Sequence, residues 1–593
     1  MNILLIATAF NGLSQRVWAE LRRTGHRVET RVLPEENDAQ VRAWVEELAP
    51  QAIIAPFLKT RIPTDLSVPT IIIHPGIPGD AGPASIDWAI LNNETTWGAE
   101  AILASEVMDG GDLYAHAEFP MRRATKSNLY SDEITEAAVS SALKAIASIE
   151  VGHLPTPQTQ LELRGQTRRA LKNADRDVDF KRMDAEQLVR IIRASDSQPG
   201  ARAVIGGQMY RLYDAHVEDA IGAQPGEIKA TRHGAVLIGT TTRPVWVGVA
   251  KKEGAGQVKR PAAHVLPLEG AIERDFEPWR LMDGQTFQDL KLTHHANVTV
   301  IEMLFYNGAF STERSRRVLA ALEYAERDDR TKLIVLTGSS NFFCNGIDLN
   351  TIHSSPNPAL EAWRSINAIN DIALKITTCK KAIITAFSGN AGAGGVMVGL
   401  GADRVVSRSG AMLNPHYKGI GLFGSELWTY NLPRRVGPIV AEGLTEGLLP
   451  LGIDEALELG LVDAILPRPY QAFQTALLEY AQSHVARAEE LVKQRLARIT
   501  SSATPLAAHL AVELSEMSRN MFGDSLGFAA KCAAFVTKIP QCATPRALHN
   551  APLHGASQHG ASQQPASAIN HLINGSSANR EVIHDSRTVS NAA

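Results

Sequence analysis

A histidine and an aspartate occur in the first third of the chain at positions that suit acid–base chemistry. His74 directly follows the β-branched segment 68–73 and precedes a loop rich in proline and glycine. Asp109 precedes the pair Gly110-Gly111, a turn that can return its carboxylate over the same sheet. Histidine titrates near neutrality, and with a carboxylate it forms a general acid–base pair. The spacing also suits a histidine at a core edge and an aspartate that caps a turn, and spacing alone favours this structural interpretation over the catalytic one.

Two glycine-rich turns form a second candidate site. Residues 341–349 (NFFCNGIDL) follow one strand pattern, and residues 387–403 (FSGNAGAGGVMVGLGAD) follow another. Turns after neighbouring strands can direct backbone N–H groups to one point, which is an oxyanion hole suited to a thioester carbonyl. A dinucleotide site is discounted because the G-x-G-x-x-G spacing is missing. Tight packing of helix on strand through small residues is the alternative that the pattern leaves open.

The strand and helix patterns around these residues predict an α/β protein. Several domains are expected, because 593 residues are too many for one ordinary hydrophobic core. Residues 1 to about 150 alternate strand and helix patterns, which indicates a doubly wound, mostly parallel sheet with His74 at a strand end, where such sheets bind ligands. Short strands then predict a small OB-like β-barrel. The α/β pattern resumes near residue 298, and residues 471–538 read as helices.

Composition and charge exclude several functional classes. The formal net charge of −4 gives no reason to expect nucleic acid or an anionic membrane as a partner. Four cysteines without a CxxC pair indicate neither a disulfide framework nor a zinc ribbon, and we predict no metal site. The first residues, MNILLIATAF, read as a strand rather than a signal peptide, and no apolar segment is long enough to span a bilayer. We therefore expect a cytoplasmic protein.

The first candidate site resembles that of the folate-dependent formyltransferases. The resemblance rests on residues 70–90 (TIIIHPGIPGDAGPASIDWAI) and 99–114 (AEAILASEVMDGGDLY), and with the barrel region, which resembles the C-terminal domain of methionyl-tRNA formyltransferase, it covers about 1–265. It implies 10-formyltetrahydrofolate as the one-carbon donor. It also implies that His74 protonates the leaving folate nitrogen or stabilises the oxyanion, that Asp109 tunes His74 and handles acceptor protons, and that the loop at Gly76 lets folate approach the backbone.

This chain departs from the formyltransferase pattern at one position. The family has an asparagine two residues before the histidine, and here that position is Ile72. The asparagine donates a hydrogen bond to the developing oxyanion, and losing such a donor costs on the order of a hundredfold in rate. Either another donor replaces it, or the acceptor differs from the usual amines, or the domain only binds folate.

The second candidate site resembles that of the crotonases, the enoyl-CoA hydratase/isomerase family. The motifs are residues 336–349 (LTGSSNFFCNGIDL), 386–403 (AFSGNAGAGGVMVGLGAD) and 452–467 (GIDEALELGLVDAILP). The resemblance implies coenzyme A as a ligand and the backbone N–H groups of Ile347 and Gly394 as oxyanion donors, with Gly394 in contact with the thioester. Lys531 and Lys538, in the last helix pattern, are candidates to meet CoA phosphates, although exposed helix lysines are common.

The crotonase acid–base residues are replaced in this chain. The first hydratase glutamate falls on Met397, and the second falls near His416 or Tyr417. Simple hydration of an enoyl-CoA is therefore not expected. His416, Tyr417 and Glu426 are the candidates for a different reaction, and any of them could instead be structural.

The order of domains, together with residues 414–437 (NPHYKGIGLFGSELWTYNLPRRVG), resembles the HypX/HoxX hydrogenase maturation proteins. The domains are predicted at 1–160, 161–275 and 290–545, followed by a disordered tail at 546–593. The resemblance implies transfer of formyl from folate to CoA, decarbonylation of formyl-CoA to CO for the iron of [NiFe] hydrogenase, and other maturation proteins as partners. The alternatives are a formyl- or acyl-CoA transferase or hydrolase that releases no CO, and a non-catalytic carrier of folate and CoA.

Overall fold

The computed structural model describes residues 1–274, 284–539 and 581–582, and these form two compact units. The first unit contains the described residues up to Gln288, and the second begins at Asp289. The predicted boundaries at residues 160 and 275 subdivide the first unit further and stay predictions. The predicted disordered tail lies outside the described residues, apart from 581–582.

The first unit begins with a six-stranded sheet, in the order β2-β1-β3-β4-β5-β6. Its strands are β1 (Asn2–Ala7), β2 (Arg27–Val32), β3 (Ala52–Phe57), β4 (Thr70–His74), β5 (Thr96–Leu103) and β6 (Leu113–Pro120). The strands β1 to β4 pair in parallel, as predicted, and β5 and β6 add an antiparallel edge around the turn that holds Asp109. His74 is the last residue of β4, so the strand delivers its side chain to the carboxyl edge of the sheet.

Five helices accompany this sheet. They are α1 (Gly12–Arg23), α2 (Asp38–Leu48), α3 (Ser85–Leu91), α4 (Lys126–Leu129) and α5 (Thr135–Glu150). The helix α1 begins where the Asn11 side chain accepts a hydrogen bond from the backbone N–H of Ser14, a common N-cap. The sequence predicts one continuous helix from residue 131, but a π turn, Tyr130–Ile134, separates α4 from α5. Such turns are frequent at functional sites.

The rest of the first unit is a largely antiparallel sheet with one amphipathic helix, α6 (Ala185–Ala194). The strands are β7 (Ala201–Ile205), β8 (Gln208–Val217), β9 (Ile228–Arg232), β10 (Ala235–Ile238), β11 (Val245–Lys252), β12 (Arg260–Pro261) and β13 (Ile272–Glu273). Their order is β13-β9-β10-β11-β8-β7, with β12 beside β11. This path leaves β7 and β13 unjoined over the described residues, so closure into an OB-like barrel stays a prediction.

The second unit contains a seven-stranded sheet, β14-β15-β16-β18-β20-β23-β24, and a small sheet, β17-β19-β21-β22. In chain order the strands are β14 (Leu290–His295), β15 (Val298–Met303), β16 (Leu333–Gly338), β17 (Phe342–Cys344), β18 (Ala382–Phe387), β19 (Asn390–Gly392), β20 (Arg404–Arg408), β21 (Met412–Asn414), β22 (Leu451–Gly452), β23 (Ala464–Leu466) and β24 (Glu581–Val582). Parallel pairing links β17, β19 and β21. The three loops that follow these strands therefore leave one edge of the small sheet.

Helices surround these sheets, and the predicted helical C-terminal part is confirmed. They are α7 (Thr312–Arg327), α8 (Leu349–His353), α9 (Pro358–Thr378), α10 (Gly394–Met397), α11 (Trp428–Val436), α12 (Pro438–Gly447), α13 (Ile453–Glu458), α14 (Tyr470–His484), α15 (Ala488–Thr500), α16 (Leu506–Phe522) and α17 (Phe528–Thr537). Buried apolar side chains from sheet and helices form two large clusters in this unit. None of the helices within the described ranges combines the length and the apolar character that a membrane span requires.

Candidate active sites

The first site brings His74 and Asp109 together, as the sequence predicts. The imidazole is buried, and its Nδ1 lies 3.4 Å from Oδ1 of Asp109. The turn between β5 and β6 reaches back over the sheet, where Oδ2 of Asp109 accepts a hydrogen bond of 3.0 Å from the backbone N–H of Gly82. The two residues can therefore exchange a proton directly.

Sequence reasoning missed a third member of this site, Asp80. Its Oδ2 lies 3.2 Å from Nε2 of His74, and the residue is completely buried. The carboxylate also accepts hydrogen bonds from Nε of Arg168, at 2.7 Å, and from the Ser85 hydroxyl. Asp80 comes six residues after His74 in a glycine-rich loop, and no spacing rule indicates that such a loop folds back onto the histidine.

Electrostatics at the first site favour a charged imidazole. Burial alone lowers the pKa of His74, but the hydrogen bonds to Asp109 and Asp80 outweigh it and raise the pKa to about 10. Glu100 lies directly opposite His74 in the pairing of β4 with β5 and is almost fully buried. Burial, together with the neighbouring carboxylates, raises the pKa of Glu100 to about 7. At neutral pH His74 is therefore an imidazolium held between two carboxylates.

A cavity of about 750 Å³ opens beside this pair, within the size range of cofactor sites. Its lining includes His74, Asp109, Lys59 and Ile72, so the apolar Ile72 side chain faces the space where the family places an asparagine. Gly76 is not among the described residues that line it. A Cβ on Gly76 would lie 2.5 Å from His74 Nε2, so this glycine makes room for the imidazole, and its contact with folate stays a prediction.

The second site lies where the loops after β17, β19 and β21 meet. The first and third loops carry Ile347 and Tyr417, and the second leads directly into Gly394, the first residue of α10. A Cβ on Gly346 would lie 3.6 Å from the backbone nitrogen of Gly394, so the first two loops touch. Within the described part of the chain, the backbone N–H groups of Ile347 and Gly394 donate to no acceptor. Both are thus free to bind an oxyanion, in keeping with the predicted donors.

Tyr417 and Glu426 form a buried pair beside these amides. The Tyr417 hydroxyl lies 2.6 Å from Oε2 of Glu426 and 3.1 Å from the carbonyl oxygen of Ser425. Oε1 of Glu426 lies against Gly394, where a Cβ would come within 2.3 Å of it. Burial raises the pKa of Glu426 to about 7 despite the Tyr417 hydrogen bond, and burial and Glu426 raise the pKa of Tyr417 well above its usual value. A neutral phenol therefore donates to a carboxylate that titrates near neutrality.

An unusual backbone conformation places Glu426. Glu426 and Leu427 have φ angles of +63° and +56°, in the left-handed region that non-glycine residues rarely adopt. The backbone N–H of Glu426 donates to Oδ1 of Asn370 at 2.7 Å, and that of Leu427 donates to Oε2 of Glu513 at 2.9 Å. Glu513 lies on α16, within the region that the sequence predicts only as helical, so sequence reasoning missed it.

The other predicted residues are not joined to this pair. Burial lowers the pKa of His416 to about 4, so its imidazole is neutral, and no hydrogen bond among the described residues links it to Tyr417 or Glu426. The Nζ of Lys531 donates to the carbonyl oxygen of Lys418 at 3.4 Å, and that of Lys538 lies 4.6 Å from the ring centre of Phe535. The predicted roles of His416 and of the two lysines stay predictions. Met397 is buried within α10.

Comparisons with known proteins match two parts of this chain to two different families. Residues 294–535 match the enoyl-CoA hydratase/isomerase family, and residues 170–260 match the formyl transferase C-terminal domain. The hydrogenase maturation factor HoxX of Bradyrhizobium diazoefficiens is 36% identical over 560 residues, which cover 92% of this chain and 96% of the relative.

Solved structures extend the likeness to the fold of nearly the whole chain. A variant of HypX from Aquifex aeolicus is 36% identical, covers 93% of this chain and 98% of its own, and superposes with a TM-score of 0.88. HypX from the same organism in complex with tetrahydrofolic acid is 35% identical, with a TM-score of 0.87 over 94% of this chain and 99% of its own.

Proposed function

Because the chain belongs to the HypX/HoxX family of hydrogenase maturation factors, we propose that it transfers a formyl group from 10-formyltetrahydrofolate to coenzyme A and then releases CO from the formyl-CoA. The CO would become a ligand of the iron in [NiFe] hydrogenase, with other maturation proteins as partners. The observation that carries the proposal is the Tyr417–Glu426 pair beside two free backbone amides. In this proposal the two amides form an oxyanion hole of crotonase type, and Tyr417 and Glu426 exchange protons in place of the two hydratase glutamates.

The first step exchanges one bond to the formyl carbon for another. The CoA sulfur attacks that carbon, the bond from the carbon to folate N10 breaks, and the thiol proton is finally carried by N10. Asp109, at the cavity, is placed to accept the thiol proton, and the imidazolium of His74 to deliver one to N10. The contact between Nδ1 and Oδ1 then restores the starting protonation. The positive charge of His74 also stabilises a developing oxyanion, which the apolar side chain of Ile72 cannot do.

The second step breaks the C–H and C–S bonds of formyl-CoA. The amides of Ile347 and Gly394 bind the formyl oxygen and make the formyl hydrogen more acidic. The Glu426 carboxylate accepts that hydrogen as a proton, the C–S bond electrons leave with sulfur, and CO departs. Tyr417 donates its proton to the thiolate and recovers one from Glu426 through their 2.6 Å contact. The net change is formyl-CoA to CO and CoA.

The test is anaerobic turnover of the full chain with 10-formyltetrahydrofolate and CoA. Tetrahydrofolate is followed by absorbance and CO by the Soret shift of deoxyhaemoglobin. We expect both products from the wild type and neither from His74→Ala. His116→Ala is the matched control, because the His116 side chain is 45% exposed and its contact with Glu118 is a long one, 3.8 Å.

The other outcomes favour the competing functions. Tetrahydrofolate without CO, in the presence of CoA, would make the protein a formyl transferase or a formyl-CoA hydrolase. Neither product, despite measured binding of folate and CoA, would favour the non-catalytic carrier. Both products at wild-type rates from His74→Ala would contradict the assignment of the first site.

A further inference from the structure

Asp80 is a buried carboxylate to which the steps above assign no role. It lies behind His74 as seen from the cavity: the described cavity lining contains His74 and Asp109 but not Asp80, which has no exposed surface. The two ring nitrogens of His74 therefore have different surroundings. Nδ1 meets Asp109 at the cavity, and Nε2 meets Asp80 in the interior.

The Asp80 carboxylate is itself fixed from three sides. Arg168 donates Nε to its Oδ1, Ser85 donates its hydroxyl to Oδ2, and Oδ2 faces the imidazole. The Arg168 guanidinium is held in turn by the ring of Trp97, 5.3 Å from its centre, and by Glu94 at 3.5 Å. A carboxylate restrained in this way cannot turn away from the histidine.

We propose that Asp80 is a positioning residue for His74, binding the proton on Nε2 and thereby reserving Nδ1 for Asp109 and the reacting formyl group. The second half of this statement rests on the proposed function. The logic is that of a buried aspartate that orients a histidine through the nitrogen remote from the substrate. Gly76 is part of the arrangement, since a Cβ there would lie within 2.9 Å of both Nε2 and Asp80 Oδ2.

The charge of His74 depends on every ionisable group that faces it. Asp80 approaches from the loop after β4, Asp109 from the turn after β5, and Glu100 from β5 itself. The hydrogen bonds to Asp109 and Asp80 both raise the pKa of His74. Replacing Asp80 by a neutral residue removes one of these, so the imidazolium should lose its proton at lower pH.

The experiment is ¹⁵N NMR of the full chain labelled in histidine, without folate or CoA, with His74 assigned by its absence in His74→Gln. In Asp80→Asn we expect the His74 titration midpoint to fall by about one pH unit or more. Glu94→Gln is the matched control, because it also replaces a carboxylate partner of Arg168 by an amide but leaves the imidazole untouched. An Asp80→Asn midpoint equal to that of Glu94→Gln would overturn the proposal.

A wild-type measurement guards against an unfolded variant. Nε2 of His74 should carry a proton at every pH at which the protein is folded, and this proton should exchange with water more slowly than the one on Nδ1. An unprotonated Nε2 would contradict the proposal without any substitution. The double variant Asp80→Asn/Arg168→Gln removes both charges of the buried pair, so the His74 titration can be repeated without leaving the Arg168 charge unpaired.

Turnover then tests the consequence for the reaction. If formyl transfer needs the imidazolium, the rate of formyl transfer should decline at a lower pH in Asp80→Asn than in the wild type, by the shift measured by NMR. We also expect kcat to fall about tenfold or more and KM for 10-formyltetrahydrofolate to change little. A purely structural role would leave the pH limb in place, which would sink the inference. Because the NMR result needs no substrate, absence of any turnover would count against the proposed function alone.

Discussion

Leu427 donates its backbone N–H to Oε2 of Glu513, 2.9 Å away in space and 86 positions away in sequence. Glu513, Met517 and Asn520 lie at positions i, i+4 and i+7, on one face of α16. They accept the backbone N–H groups of Leu427, Gly424 and Phe423, respectively. One helix face thus dictates the conformation of the loop that carries Glu426, and the left-handed backbone at Glu426 persists because its surroundings fix it.

Replacing Glu513 should therefore damage the second reaction without touching the first. In Glu513→Ala the buried N–H of Leu427 loses its acceptor, at a cost of about 1–3 kcal/mol, and so does the partly buried N–H of Thr429. We expect a lower free energy of unfolding in urea and CO release reduced about tenfold or more, with tetrahydrofolate formation unchanged. Glu516→Ala, three residues along the same helix and paired with Arg519 at the surface, should behave as wild type. Equal effects of the two substitutions would argue against this role.

Removing the Tyr417 hydroxyl should uncouple the two reactions. Tyr417→Phe leaves the ring in place but takes away the proton donor to Glu426 and to the departing thiolate. We expect CO release to fall on the order of a hundredfold, the size of a typical general-acid contribution, while tetrahydrofolate is still formed and formyl-CoA accumulates. Tyr430→Phe, a mostly buried tyrosine in the neighbouring helix α11, is the matched control. CO release that Tyr417→Phe leaves unchanged would remove Tyr417 from the mechanism.

CO release should increase with pH through about 7 when formyl-CoA is supplied directly. Glu426 must be ionised to accept the formyl proton, and burial raises its pKa to about 7. Tyr417 donates a hydrogen bond that lowers this pKa, so Tyr417→Phe should move the midpoint of the residual activity to higher pH. The same raised pKa affects stability. Between pH 4.5 and about 7 the Glu426 carboxyl keeps its proton in the native state but loses it in the unfolded chain, so the free energy of unfolding decreases as pH rises through this range. A rate that decreases across this range would assign Glu426 the role of an acid.

The sequence predicts the early strands and helices of the first unit, and the strand end that carries His74, for a physical reason. Alternating periodicities identify β1 to β4 and their helices, and the strand end at His74 follows directly from the hydrophobic pattern. The turn at Asp109 could be predicted as well, because two consecutive glycines favour a turn over a continued strand. Ile347 and Gly394 belong to glycine-rich turns that the sequence shows directly. Their role as oxyanion donors follows only from the resemblance to the crotonases and stays a prediction.

Contacts between distant segments could not be predicted in this way. Asp80 meets Arg168, and Leu427 meets Glu513, across 88 and 86 positions. Such pairs depend on how complete elements pack, and a single sequence carries no local signal for them. The π turn at Tyr130 could not be predicted for a related reason. The helical pattern of the sequence continues through it, and only the backbone hydrogen bonds show that this turn contains one residue more than an α-helical turn.

Space beside Gly394 should be as important as its amide. A Cβ at this position would lie 2.3 Å from Glu426 Oε1 and 2.6 Å from its Cδ, so Gly394→Ala must displace the carboxylate, the oxyanion donor or both. We expect CO release from formyl-CoA to drop about a hundredfold or more, as when an oxyanion donor is lost, while formyl transfer from folate continues. Gly443→Ala, within α12, is the control, because a Cβ there meets no described atom within 4 Å and alanine favours a helix by about 0.5–1 kcal/mol. If Gly394→Ala released CO at the rate of Gly443→Ala, the loop after β19 would not be the site of the second reaction.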